Sequence, residues 1–252
     1  MKKEFYLNNM FYEVIENEKG DCFIKDKRNS RYYFKRGFFA SRRYQFECIE
    51  QIKWNWKDTI YTVLCMLSVF SLVFLLFHYC NIYQAEKFTG RKYFLSACYL
   101  VMSMVAHESS HAFTMYVYGR KYGKIHVKLY YHVFLAIVTD TTDSYLLPRY
   151  RRFFVCYAGV MSNLLMYGFT LLRFPASAYL LRIALWGVIY NMIPFGGMKT
   201  DGYHIMINIL LRQNDVKGKK HIIGQMAQSL FFISIMLSLI YSIARCLDSV
   251  FC

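Results

Sequence analysis

Residues 93–119 read YFLSACYLVMSMVAHESSHAFTMYVYG. No side chain is charged from Tyr93 to Ala106; His107, Glu108 and His111 then interrupt a run that resumes as far as Gly119. About 20 residues at ~1.5 Å each cross a hydrocarbon core, so this stretch predicts a membrane helix with ionisable groups at or near membrane depth. Such groups are costly in lipid and mark functional candidates. Four more uncharged runs lie outward from it: Thr59–Ala85, Phe153–Leu172, Ile183–Met198 and Ile222–Ala244. Ile183–Met198 is the short one and ends against Lys199 and Asp201. The pattern predicts an all-α polytopic membrane protein with about five transmembrane helices.

The composition agrees with that expectation. Of 252 residues 56% are hydrophobic and 19% aromatic, with 3 prolines and 13 glycines, which excludes a disordered, collagenous or linker chain. The 31 Lys and Arg outweigh 16 Asp and Glu by a net +15, a balance that in a soluble protein raises nucleic acid as a partner. A membrane accounts for it better. With the N-terminus inside, segments 1–58, 119–152 and 198–221 hold 25 Lys and Arg, and segments 81–92, 173–182 and 245–252 hold 6. The positive-inside rule therefore predicts a multi-pass plasma-membrane protein with a cytoplasmic N-terminus, a lipid bilayer as partner and no nucleic acid. Trp54 and Trp56 fit an interfacial belt. Met1-Lys2-Lys3 leads into a mixed polar segment, so no cleavable signal peptide is expected, and the first span serves as the anchor.

Residues 1–58 form the first expected unit, a small β-leaning cytosolic N-terminal module. Phe11–Ile15 and Cys22–Ile24 flank a turn at Glu18–Asp21, and Arg31–Phe34 supplies a third strand. Its basic runs, Lys35-Arg36 and Arg42-Arg43, fit anionic head groups. Residues 59–250 form the transmembrane domain, with its core at 93–205. Within it Lys124–Phe134 partly alternates and predicts a membrane-associated β-hairpin whose edge pairs with an extended substrate; His126 and His132 read as strand surface residues. The eight cysteines contain no C-x-x-C pair and read as buried or free thiols.

The chemistry lies in His107-Glu108-Ser109-Ser110-His111. On a helix, residues four apart share a face, so two imidazoles can grip one metal ion while the glutamate reaches a water on it. With this composition the pattern is expected by chance about 0.006 times. The competing reading is a satisfied polar cluster between helices. A zinc site needs a third protein ligand and an open position. Asp201 is the candidate, because Pro194 and Gly196-Gly197 break the fourth run just before it; an aspartate ahead of a glycine is otherwise a turn residue. Ser109 and Ser110 either line a water-filled pocket or satisfy themselves on helix carbonyls. Asp140 and Asp143 sit in a stretch that Asx turns would explain.

Taken together, His107-Glu108-x-x-His111 in a span, Asn191-x-x-Pro194 and Asp201-Gly202 downstream resemble the site-2 protease family of intramembrane zinc metalloproteases. Ala158-Gly159-Val160-Met161-Ser162-Asn163 looks like that family's Ala-Gly-Pro-x-x-Asn, with Val160 in place of the proline. Gly119–Lys124 and Thr139–Arg149 are similar to the bacterial branch associated with maturation or export of ribosomal peptides, a resemblance that gives Asp140 and Asp143 a functional reading beside the turn. The resemblance implies one zinc per chain held by His107, His111 and Asp201, with Glu108 as general base. Asn163 would position substrate or stabilise the oxyanion, or else serve as an interhelical hydrogen-bonding residue. The implied substrate is a membrane-associated peptide or membrane protein, and the implied partner a peptide transporter. The alternative is a non-enzymatic membrane partner of a peptide export or immunity system that retains a structural metal site.

Overall fold

A computed structural model describes residues 4–79, 90–122, 124–130, 134–174, 177–192 and 200–209. Two compact units divide the chain, Met1–Val188 and Ile189–Cys252.

The first unit opens with a sheet of five antiparallel strands in the order β4-β3-β2-β1-β5. They are β1 (Glu4–Asn8), β2 (Tyr12–Asn17), β3 (Cys22–Asp26), β4 (Arg31–Lys35) and β5 (Cys48–Gln51). Alternation sends Leu7, Val14, Cys22 and Ile24 to one face, where Leu7 pairs with Val14 and Val14 with Ile24 across the ladder. Ala40, which starts the short helix α1 (Ala40–Arg43), closes that core, with Tyr12, Phe38 and Phe46 around it. The β2–β3 turn falls at the expected place. Asn17 Oδ1 accepts the amides of Lys19 and Asp21, and Gly20 sits at φ 75° with the Phe39 ring against it, so a Cβ there would be strained and would clash at 2.6 Å.

Helices follow: α2 (Trp56–Tyr79), α3 (Gly90–Val117), α4 (Arg149–Arg173) and α5 (Ala178–Met192). Between α3 and α4 the chain makes an antiparallel hairpin, β6 (Ile125–Tyr130) and β7 (Phe134–Thr139), and a 3-10 turn at Thr142–Leu146. α4 packs on α2 and α3, and α3 also packs on β7. A buried ion pair fixes α2 to α4: Arg151 donates through Nε and a terminal nitrogen to Asp58 at 2.9 Å each, and Asp58 is fully buried. Asn163 ties three helices together, accepting from Ser103 of α3 at 3.4 Å and donating to the Gly187 carbonyl of α5 at 3.1 Å. α3 ends in a Schellman motif. Arg120 N–H bonds the Met115 carbonyl and Gly119 N–H that of Tyr116, both at 2.9 Å, with Gly119 left-handed at φ 68°. In the second unit α6 (Asp201–Ile209) begins at Asp201.

The fold corrects the expectation of an all-α protein with about five spans. It is mixed α/β, with a five-stranded sheet and a hairpin, and among the described residues only α4 is long and apolar enough to cross a membrane. An uncharged run is a weaker signal than a sustained apolar one. α3 coincides with the second run, but Ser96, Ser103, Ser109, Ser110, the two histidines and Glu108 dilute it. The fourth run yields a helix of 15 residues, short of a bilayer. The fifth run, Ile222–Ala244, lies outside the described residues, as do Pro194 and the Gly196-Gly197 pair. A charge count across five spans therefore does not establish a multi-pass orientation.

Candidate metal centre

His107 and His111 lie one turn apart on α3 and are both buried. The His111 ring places Nδ1 2.7 Å from the Val155 carbonyl of α4. A carbonyl only accepts, so Nδ1 carries the proton and Nε2 presents its lone pair. That Nε2 stands 3.3 Å from His107 Nε2. Two nitrogens bound to one tetrahedral zinc at ~2.0–2.1 Å would be about 3.3 Å apart. The ligand atoms of His107, Glu108 and His111 all lie within 4.8 Å of one another. The donor set therefore fits a zinc ion on two counts, the nitrogen spacing and the hydrogen bond that orients His111.

Glu108 is placed beside this pair with its own restraints. Its Oε1 lies 4.0 Å from His107 Nε2, and its Oε2 accepts the Thr139 amide at 2.7 Å. Thr139 Oγ1 also donates to the Glu108 main-chain carbonyl at 3.1 Å. Thr139 had no functional reading in the sequence, because a contact made through a main-chain N–H leaves no side-chain signature. Ser110 donates to the His107 carbonyl at 2.6 Å, the self-satisfied role of a helix serine.

The structure brings His107, Glu108 and His111 together. Asp201 is the first residue of α6, in the second unit, and Asn191 ends α5. Asn163 is buried, with both ends of its amide bonded to neighbouring helices. His126 is exposed on β6, as a strand surface residue would be, and His132 lies outside the described residues. Asp140 accepts the Thr142 amide and hydroxyl in an Asx turn. Asp143 does more than a turn requires: its buried carboxyl accepts from Lys25 Nζ, from Tyr32 OH at 2.7 Å and from the Lys121 amide at 3.2 Å. Burial alone would push this carboxyl up. The Lys25 and Tyr32 hydrogen bonds and the Lys25 and Arg120 charges outweigh it and hold the group below the usual carboxylate range.

A helix carrying His-Glu-x-x-His, with a histidine pair at zinc spacing and a restrained glutamate, has the form of a metallopeptidase centre. The chain is similar to a Bacillus subtilis (strain 168) protein named "Putative peptide zinc metalloprotease protein YydH". The two are 26% identical over 211 residues, which covers 79% of this chain and 81% of that protein. This likeness is to a zinc metalloprotease in general and does not single out the site-2 protease branch. No family model matches the chain. No solved structure matches it.

Proposed function

We propose that the protein is a zinc metalloendopeptidase that hydrolyses a peptide bond in a membrane-associated peptide. The observation that carries this reading is the His107–His111 nitrogen pair at 3.3 Å with Glu108 held beside it. Asp201 is the proposed third ligand, and one zinc per chain the proposed content. Zinc bound there supplies Lewis acidity and lowers the pKa of water towards ~7. Glu108 accepts the proton of the attacking water on Oε1 and returns it to the leaving amine. Thr139 keeps Oε2 occupied, so one oxygen does that work. Asn163 would have to leave Ser103 and Gly187 to touch substrate, and we assign it the task of holding α3, α4 and α5 together.

A membrane setting is supported by α4, which is long and apolar enough to cross one, and by the outward apolar side chains Val101, Met102 and Val105 on α3 and Leu165, Phe169 and Leu172 on α4. A plasma membrane, a ribosomal peptide precursor as substrate and a transporter as partner extend this reading and rest on the family resemblance.

The test is elemental analysis of the detergent-solubilised protein, followed by incubation with a quenched-fluorescence peptide mixture of random sequence. One zinc per chain and cleavage that Glu108→Gln abolishes are expected. A metal-replete protein without zinc overturns the proposal.

A further inference from the structure

Thr139 ends β7 opposite Ile125. One residue further on, the Asp140 amide donates back to the Lys124 carbonyl at 3.4 Å. Successive amides of a strand point to opposite sides, so the Thr139 N–H is turned away from β6. It meets Glu108 Oε2 at 2.7 Å, while its hydroxyl reaches the Glu108 carbonyl at 3.1 Å. One buried threonine thus grips both the side chain and the main chain of the candidate base. A carboxylate held at one oxygen loses its freedom to swing, and the other oxygen keeps a fixed bearing towards the histidines.

Thr139 is itself held from the other side. The chain runs from it into the Asp140 turn, and the Ser144 amide bonds the Thr141 carbonyl, so little slack separates Thr139 from Asp143. Asp143 takes Lys25 of β3, Tyr32 of β4 and the Lys121 amide beyond the end of α3. Phe23 of β3 stacks on Tyr145 at 5.5 Å, and the Arg152 guanidinium lies 4.9 Å from the Phe23 ring centre. The N-terminal sheet therefore meets the hairpin's exit at a half-buried polar junction centred on the buried Asp143 carboxyl.

We propose that Thr139 is a positioning residue for the Glu108 carboxylate, and that Asp143 is the strut through which the N-terminal sheet keeps Thr139 in place. The catalytic meaning of this arrangement rests on the metallopeptidase reading; the hydrogen-bonded clamp does not.

Amide hydrogen exchange on the full chain in detergent, resolved to single residues across 134–144 with and without a chelator, tests it. Glu108→Ala is expected to speed exchange of the Thr139 amide about tenfold, the loss of one buried hydrogen bond, while Glu108→Gln, which keeps an acceptor oxygen, leaves it slow. Lys25→Met and the milder Tyr32→Phe should speed the same amide, with α4 amides unchanged as proof of an intact fold. In the peptide-mixture assay Lys25→Met should lower kcat with KM and zinc content retained, and Thr139→Ser should keep the kcat that Thr139→Val loses. An unchanged Thr139 amide in Glu108→Ala overturns the clamp. An unchanged one in both Lys25→Met and Tyr32→Phe overturns the strut. Faster exchange in a protein that neither binds zinc nor cleaves peptide supports the clamp and overturns the peptidase.

Discussion

His111 Nδ1 donates to the Val155 carbonyl across the α3–α4 contact at 2.7 Å, and this one bond settles which nitrogen of the ring faces His107. The metal-binding lone pair is thus set by a neighbouring helix before any ion arrives. His107→Ala and His111→Ala should each lose zinc, whereas Glu108→Gln should keep it and lose ~10²–10⁴-fold in turnover. Elemental analysis beside the peptide-mixture assay reads both. Zinc retained in His111→Ala would place the ion elsewhere.

Asp58 is fully buried and is held bidentately by Arg151, with the Asn55 amide also on it at 2.8 Å. Removing one partner strands the other charge, so Asp58→Ala should cost about 3–5 kcal/mol. Denaturant titration in micelles measures it. A loss under about 1 kcal/mol would mean that Arg151 finds water or another partner.

Asp143 should give the protein an acid-sensitive joint. Its carboxyl titrates below the unfolded value, so its contribution is present above about pH 4 and is lost as pH falls through the folded value. Melting of wild type should fall on acidification below about pH 4, and Asp143→Asn should flatten that fall. Equal acid-side slopes for the two proteins would contradict this.

Burial, with Glu16 adding to it, raises the Cys22 thiol to about 11. At pH 8 iodoacetamide should leave Cys22 unmodified in the folded chain and label it after denaturation. Mass spectrometry of the digested protein decides, and labelling without denaturant would show that the sheet core opens.

Asn163→Ala should destabilise the chain by about 1–3 kcal/mol, since it removes a buried amide and leaves the half-buried Gly187 carbonyl without that donor. Zinc content should be unaffected. Loss of the metal without loss of stability would return Asn163 to the centre itself.

The grouping of His107, Glu108 and His111 was legible because an i,i+4 pair on a helix needs only the helix to exist. Strands β2 to β4 were legible from their alternation and the Gly20 turn. Strands β1 and β5 were not: Glu4–Asn8 mixes polar and apolar residues without a turn ahead of it, and Cys48–Gln51 is a mostly exposed edge. The expectation of about five spans failed at α3, where absence of charge was read as apolarity, and at α5, which is too short, while the fifth run lies outside the described residues. Thr139 and Asp143 were hidden for another reason. Their partners lie 31 residues away at Glu108 and 118 away at Lys25, and one of the bonds uses a main-chain group that every residue type shares.

The left-handed turn at Gly119 reverses the chain after α3 and lets the hairpin return to that helix. From Glu108 to Thr139 the backbone then forms a ring closed by hydrogen bonds. The ring has a parity. Side chains alternate faces along a strand, so a single residue inserted into β7 would leave an N–H opposite Ile125 aimed at Glu108 but would turn the Thr139 hydroxyl to the other face. A one-residue insertion in β7 should therefore cost the hydroxyl bond to the Glu108 main chain while the carboxylate keeps a main-chain donor, so the two halves of the grip are separable by length alone.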